Sequence, residues 1–266
     1  REIATRLHDH VLRLLKVVKR ATVAFDLHDF AVAVKSFEQD ARRAGAQADG
    51  IIGSGIEPRL DGEVPMAAVH ANRSLRQKFV NVVVEELHDQ LSRSISAAGH
   101  DTVVLLDGFT RTSTSGERWA EPRVVLPAAA AAAARASRPI THRFGEADAS
   151  CWLHALATEA MTVVSTTDAD CVPWALFSAL SAPPLSPLAR RWYVLWAPAS
   201  GTRSVIAVPR IISHAMEVLP SSWSVSERVG SFAAVLIGAG NDFKERFGPI
   251  APGAALEGYV AHAAQI

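Results

Sequence analysis

The sequence predicts an α/β protein with a mainly parallel central sheet flanked by helices, organised as a single domain over residues 1–266. Three observations predict it. Short apolar runs alternate with longer stretches of helical period, the pattern of strand–helix units. Several of those runs close on an acidic residue, as strands do when ligands gather beyond their carboxyl ends. The chain of 266 residues is 49% hydrophobic and 20% charged, enough apolar side chain to bury a sizeable core.

The elements follow in order. Residues 4–18 carry Leu7, Val11, Leu14, Leu15 and Val18 at helical spacing. Residues 22–26 read as a buried strand ending in Asp26. A helical period returns over 27–44, and 46–65 form a Gly-rich connection. Residues 69–98 predict one long amphipathic helix holding Leu75, Phe79, Val82, Val83, Leu87, Leu91 and Ile95. The next strand, 101–107, closes on Asp107 and is followed by Gly108. Residues 109–138 read as irregular, either a surface loop or a mobile helix. A helix over 146–159 precedes a strand over 161–166, which runs into Asp168 and Asp170. Residues 192–196 and 204–208 predict two more strands, a hairpin or an edge pair. Residues 224–237 form a helix with a Ser cap and a Glu three residues on, and 254–264 close the chain helically.

Charge and cysteine content exclude several classes. Lys+Arg and Asp+Glu both number 27, so the chain is no polycation. No apolar run reaches the roughly 18 residues of a membrane span, and no membrane partner is expected. Two cysteines are too few for a disulfide framework or a four-cysteine zinc site, and they fit an intracellular, reducing compartment. Nucleus, cytoplasm and mitochondrion are not distinguished. The chain opens at Arg1 rather than Met, so an upstream targeting segment is expected to be missing.

The acids carry the chemistry. Asp26, Asp107, Asp168 and Asp170 stand at or just beyond strand ends, Glu146 and Asp148 begin a helix, and Asp242 follows one. Singly, each reads as a cap or turn residue. Brought to one rim, the set suits hard cations such as Mg²⁺ or Mn²⁺, and two such ions would neutralise carboxylates that otherwise repel.

The stretch T-H-R-F-G-E-A-D-A-S-C from Thr141 to Cys151, followed by V-V-S-T-T-D-A-D-C from Val163 to Cys171, resembles the acidic core of the flap endonuclease/XPG family of PIN-like 5′-nucleases. Asp26 resembles that family's first acid, Asp107-Gly108 its aspartate–glycine pair, and Asp242 its last acid. The G-N-D-F form at 240–243 is similar to the related 5′→3′ exoribonucleases. The resemblance implies a PIN-like fold with 109–138 as a reduced arch or loop insertion and 243–266 as a C-terminal helical segment. It implies a nuclease that hydrolyses RNA or DNA by a two-metal mechanism, directed by structure or by a 5′ end. Asp26, Asp107, Glu146, Asp148, Asp168, Asp170 and Asp242 are then both catalytic residues and metal ligands for two Mg²⁺ or Mn²⁺ ions. Arg111, Arg118, Arg123, Arg135 and Arg138 would grip the strand, in a segment without the family's lysines. The helix–hairpin–helix that holds duplex DNA in flap endonucleases is not seen after Asp242.

Two other functions compete. A PIN-like domain could serve as a scaffold that binds nucleic acid or protein within a ribonucleoprotein assembly. Zero net charge suits that role, although setting seven site acids aside leaves 20 acids against 27 basic residues. A haloacid-dehalogenase-like phosphatase would use Asp168-Ala-Asp170, but Ala239 stands where its later motif needs an acid. The remaining features read as structural. His8, His10, His28 and His70 show no ligand spacing, Cys151 and Cys171 read as packing residues, and most tryptophans belong to the core. Trp119 and Trp152 are the two placed to stack a base.

Overall fold

The computed structural model describes residues 1–27, 55–60, 62–98, 102–116, 118–120, 122–125, 147–156, 161–168, 170–181, 191–197, 202–238 and 252–263. The helix predicted over 27–44 lies almost wholly outside them. The chain divides into two compact units, Arg1–Ser150 and Cys151–Ile266.

In the first unit, helix α1 (Glu2–Leu15) leads into strand β1 (Arg20–Ala24). Helices α2 (Met66–Ala71) and α3 (Arg73–Ala98) then precede strand β2 (Val103–Asp107). The single helix predicted over 69–98 is thus two. Asn72 separates them in an extended conformation, φ −117° and ψ 117°, and its Oδ1 accepts the Leu75 N–H at 3.0 Å. Capping by Asn satisfies an amide that a helix start leaves open, and an apolar period does not report it. Along α3, Val80, Val83, Val84, Leu87, Leu91 and Ile95 are buried with Ala4, Val11 and Leu15 of α1 and Val104 and Leu106 of β2. His8 adds a polar link, its Nε2 2.8 Å from Ser94 Oγ.

Strand β2 pairs in parallel with β1, Ala24 opposite Asp107. Residues 109–125, predicted irregular, instead form strands β3 (Thr110–Thr112), β4 (Arg118–Ala120) and β5 (Arg123–Val125). β3 and β4 make an antiparallel hairpin, and β5 returns antiparallel to β2, Leu106 opposite Arg123. Three-residue strands rich in Thr, Ser and Arg lack the apolar alternation that identifies longer ones. Residues 126–146, including the polyalanine stretch, lie outside the described residues.

Helix α4 (Ala147–Leu156) carries the division between the units. In the second unit, strand β6 (Thr162–Thr166) is followed by helix α5 (Cys171–Leu180) and by strand β7 (Trp192–Trp196), parallel to β6. Strand β8 (Ser204–Ala207) pairs antiparallel with β7, as the predicted edge pair. Helices α6 (Val208–Val218), α7 (Val225–Gly238) and α8 (Pro252–His262) complete the unit. Neither α5 nor α6 is foreseen in the sequence. Six of the ten α5 residues are buried, which removes the polar face that marks an amphipathic helix. α6 begins directly at the end of β8, with Pro209 in its first turn, where a missing amide costs no hydrogen bond. Trp152 and Trp192 anchor the core with ring centroids 5.0 Å apart, and the Trp152 indole donates to the Cys171 carbonyl at 2.9 Å.

The protein is therefore mixed α/β, with eight helices and sheets of two or three strands among the described residues. The expected mainly parallel sheet is corrected. Each three-stranded sheet holds one parallel and one antiparallel pair. For the β7–β8 pair the reason is connection length. A parallel pair needs a crossover of a dozen or more residues, which α3 and α5 supply, whereas β7 reaches β8 through a short link that permits only an antiparallel return. Among the described residues no helix is long and apolar enough to cross a membrane.

The predicted cap of α7 is present and reciprocal. Ser224 Oγ accepts the Glu227 N–H at 3.2 Å, and Glu227 Oε2 accepts the Ser224 N–H at 2.6 Å. Hydrogen bonds from the Ser224 side chain, then from its backbone, hold the Glu227 carboxyl below the usual glutamate range. The sign follows from linkage. The stabilising contribution is complete above the unfolded pKa of about 4.3 and is lost as pH falls through the lowered folded value. Urea unfolding of wild type and Glu227→Gln is expected to differ at pH 7 and to converge as pH falls through the lowered carboxyl pKa; parallel curves throughout would exclude the linkage.

Candidate active site: acids at the strand ends

In the first unit, three distant segments that bear Asp26, Asp107 and Asp148 adjoin one another. Ala24 ends β1 opposite Asp107, and the Phe25 N–H donates to the Asp107 carbonyl at 3.1 Å, so Asp26 leaves β1 two residues past the last paired position. Asp26 Oδ1 accepts the Ala147 N–H at 2.9 Å, across 121 positions of sequence. That bond closes one of the open amides at the start of α4. It also sets Asp26 beside the helix turn that bears Asp148, the second residue of α4. Carboxylates at this end of a helix are favoured by its dipole.

Asp107 is 1% exposed, and its Oδ1 accepts the Gly108 N–H at 2.8 Å. Gly108 has φ +100°, and an added Cβ would lie 2.6 Å from the Phe25 carbonyl oxygen. Only glycine lets the chain turn this tightly against β1 directly after the acid. Helix α3 holds the same loop from the other side. Gln77, itself 3% exposed, donates from Nε2 to the Gly108 carbonyl at 2.9 Å and to Asn81 Oδ1 at 3.1 Å. Asn81 Oδ1 accepts the Thr110 N–H at 3.1 Å, and Asn81 Nδ2 donates to the Thr110 carbonyl at the same distance. Gln77 and Asn81 are the positioning residues that sequence reading missed. Their sole signal is an amide pair four positions apart on a helix, interrupting an apolar stripe.

Replacing Gln77 by Leu keeps the volume but strips the buried Gly108 carbonyl of its donor. A loss of about 1–3 kcal/mol in urea unfolding is expected. An unchanged midpoint would show that the carbonyl finds another donor.

In the second unit, Asp168 lies two residues past β6 and Asp170 sits at the N-cap of α5. Thr166 Oγ1 accepts the Asp168 N–H at 3.0 Å, and Asp168 Oδ1 accepts the Asp170 N–H at 3.0 Å. This side chain-to-backbone turn carries the chain from strand to helix. Asp168 and Asp170 are thus juxtaposed at a strand carboxyl end, where the sequence puts them.

Glu146 and Asp242 lie outside the described residues, as do Arg135 and Arg138. Arg111 lies exposed on β3, Arg118 lies on β4, and Arg123 is half-buried on β5. Trp152 is fully buried and cannot stack a base, whereas Trp119 is 41% exposed. The donor chemistry of the acids fits hard divalent cations, being carboxylate throughout. Among the described residues, no group of three or more His, Cys, Asp or Glu side chains is arranged to hold a metal ion.

No protein-family model matches the chain, and comparisons with curated proteins and with solved structures find no match.

Proposed function

We propose that the protein is a divalent-metal-dependent nuclease that hydrolyses phosphodiester bonds in RNA or DNA. The observation that carries this reading is the Asp26–Ala147 hydrogen bond. It joins the end of β1, beside Asp107 of β2, to the helix start that bears Asp148, in one of the two segments that carry the specific part of the family resemblance. Asp26, Asp107, Glu146 and Asp148 would hold one Mg²⁺ or Mn²⁺ ion, and Asp168, Asp170 and Asp242 are assigned to a second. Such ions, when bound, offset the charge that develops on a phosphodiester as it is cleaved.

The chain's own residues supply placement. The Gly108 N–H holds the Asp107 carboxylate, the Gln77–Asn81 bracket holds the loop that follows it, and α4 directs its amide end toward Asp26.

A second reading, a scaffold that binds nucleic acid or protein, draws on a different observation. Asp26, Asp107 and Asp168 each accept a backbone N–H, a role that would retain them without catalysis. Incubating the full chain with 5′- and 3′-labelled single strands in Mn²⁺ or in EDTA separates the two. Metal-dependent shortening of either label supports the nuclease; intact strands in both conditions would reject it.

A further inference from the structure

We infer that the turn between α1 and β1 is a docking surface for an anionic lipid headgroup layer, with Arg13, Lys16, Lys19 and Arg20 as headgroup contacts and Val17 at its apolar tip. The surface does not rest on the nuclease reading. Residues 10–25 hold four basic side chains and no acid. All four cations are exposed, and among the described residues none enters an ion pair. Arg1, Arg6 and Lys78 of the same unit each have a glutamate partner. Cations at the carboxyl end of a helix are favoured by its dipole, which accounts for Arg13 in the last turn of α1. It does not account for Lys19 and Arg20, which follow the helix, nor for the apolar side chains set among the cations. Val17 is 82% exposed, and Leu14 and Val18 are each 39% exposed.

The backbone of the turn is fixed. The Val17 and Val18 N–H groups both donate to the Leu14 carbonyl, at 2.9 and 3.0 Å, which gathers the three apolar residues into one turn. The Val103 N–H donates to the Lys19 carbonyl at 2.9 Å and ties the turn to the sheet. Little backbone ordering is then left to oppose binding. Aliphatic side chains among cations match anionic headgroups lying over acyl chains. Charge draws the turn to the surface, and the apolar tip enters between the headgroups. A phosphodiester backbone offers these side chains no apolar partner, and valine has no ring on which a base could stack. The contact lies in the headgroup layer and needs no spanning helix. Arg20 opens β1 and Asp26 follows its other end, about 20 Å away along an extended strand. Docking by the turn therefore leaves the acid end of the strand clear of the lipid.

The test is cosedimentation of the full chain with vesicles of phosphatidylcholine, alone or mixed in equal parts with phosphatidylserine. Binding to the mixed vesicles only is expected, with release at about 1 M salt, where the screening length falls to about 3 Å. Each basic residue near an anionic surface contributes about five-fold to partition, so Lys16→Gln combined with Lys19→Gln should weaken binding about twenty-five-fold. Val17→Ser should weaken it about four-fold, the contribution of one buried methylene. Lys78→Gln is the control, since Lys78 is paired with Glu57 about 30 Å before the carboxyl end of α3, and it should bind as wild type. Circular dichroism checks that the variants fold. Equal binding to phosphatidylcholine vesicles, or wild-type binding by the double variant and by Val17→Ser, would overturn the inference. So would an absence of vesicle binding. Oligothymidylate binding lost in the double variant would then give the turn to a nucleic-acid backbone, and no binding to either would leave it to an acidic protein.

Discussion

Asp107→Asn is expected to lower metal-dependent cleavage of single strands by about a thousand-fold or more, equivalent to about 4 kcal/mol of transition-state stabilisation. The substitution separates the two roles that the side chain can have. Asparagine keeps an Oδ1 that can accept the Gly108 N–H, so the turn after β2 retains its closing hydrogen bond. What it loses is the negative charge and an oxygen donor suited to a hard cation. The unfolding midpoint should therefore shift by only a few degrees, the scale of about 1 kcal/mol in a protein of this size. Asp26→Asn should behave alike, because its amide oxygen can still accept the Ala147 N–H. Full activity in either variant would remove that residue from the chemistry. Inactivity accompanied by a large loss of stability would assign the residue to the fold alone.

Gly108→Ala carries the largest expected effect on stability, a loss of about 3 kcal/mol or more measured by urea unfolding. Two costs combine. The backbone φ of +100° is strained for any side chain, and the new methyl would meet the Phe25 carbonyl oxygen at 2.6 Å and the Phe25 Cβ at 2.7 Å. Phe25 cannot retreat without breaking its N–H bond to the Asp107 carbonyl. Relief by moving the loop would instead pull Gly108 from Gln77 and Thr110 from Asn81. Gly116→Ala is the control. It shares a positive φ but has no atom within 4 Å of the added methyl, so it should cost only about 1 kcal/mol. Equal losses at the two positions would show that backbone strain, not the contact with β1, sets the cost.

The legible parts of the fold are those whose signal is local and repeated. The α3 stripe through Leu87, Leu91 and Ile95 repeats at helical spacing, and all three residues are fully buried. The Ser224–Glu227 cap is two residues at a fixed offset, and both hydrogen bonds form. β2 is an unbroken apolar run, and β7 carries a continuous apolar core between tryptophans. The elements that escape are short, fully buried or interrupted. β3, β4 and β5 span three residues each, too few to establish a period. α5 is apolar on every side, and Asn72 cuts a continuous helical pattern with a single cap.

The candidate site divides on the same line. Asp26, Asp107, Asp168 and Asp170 are readable as acids beyond apolar strands because strand ends are set by nearest neighbours in sequence. The Gln77–Asn81 bracket on the Asp107 loop is not readable, because its partners lie 29 to 31 residues away.

By itself, then, the sequence determined the α/β class, a long helix ahead of β2 and the acids at or just beyond the ends of β1, β2 and β6. Tertiary structure alone decided that the sheets are mixed, that Gly108 must be glycine and that Asp26 meets the start of α4 across 121 residues. The physical reason is range. Apolar periodicity is written in neighbouring side chains, whereas strand direction, close backbone approach and long-range hydrogen bonds exist only once distant segments have packed.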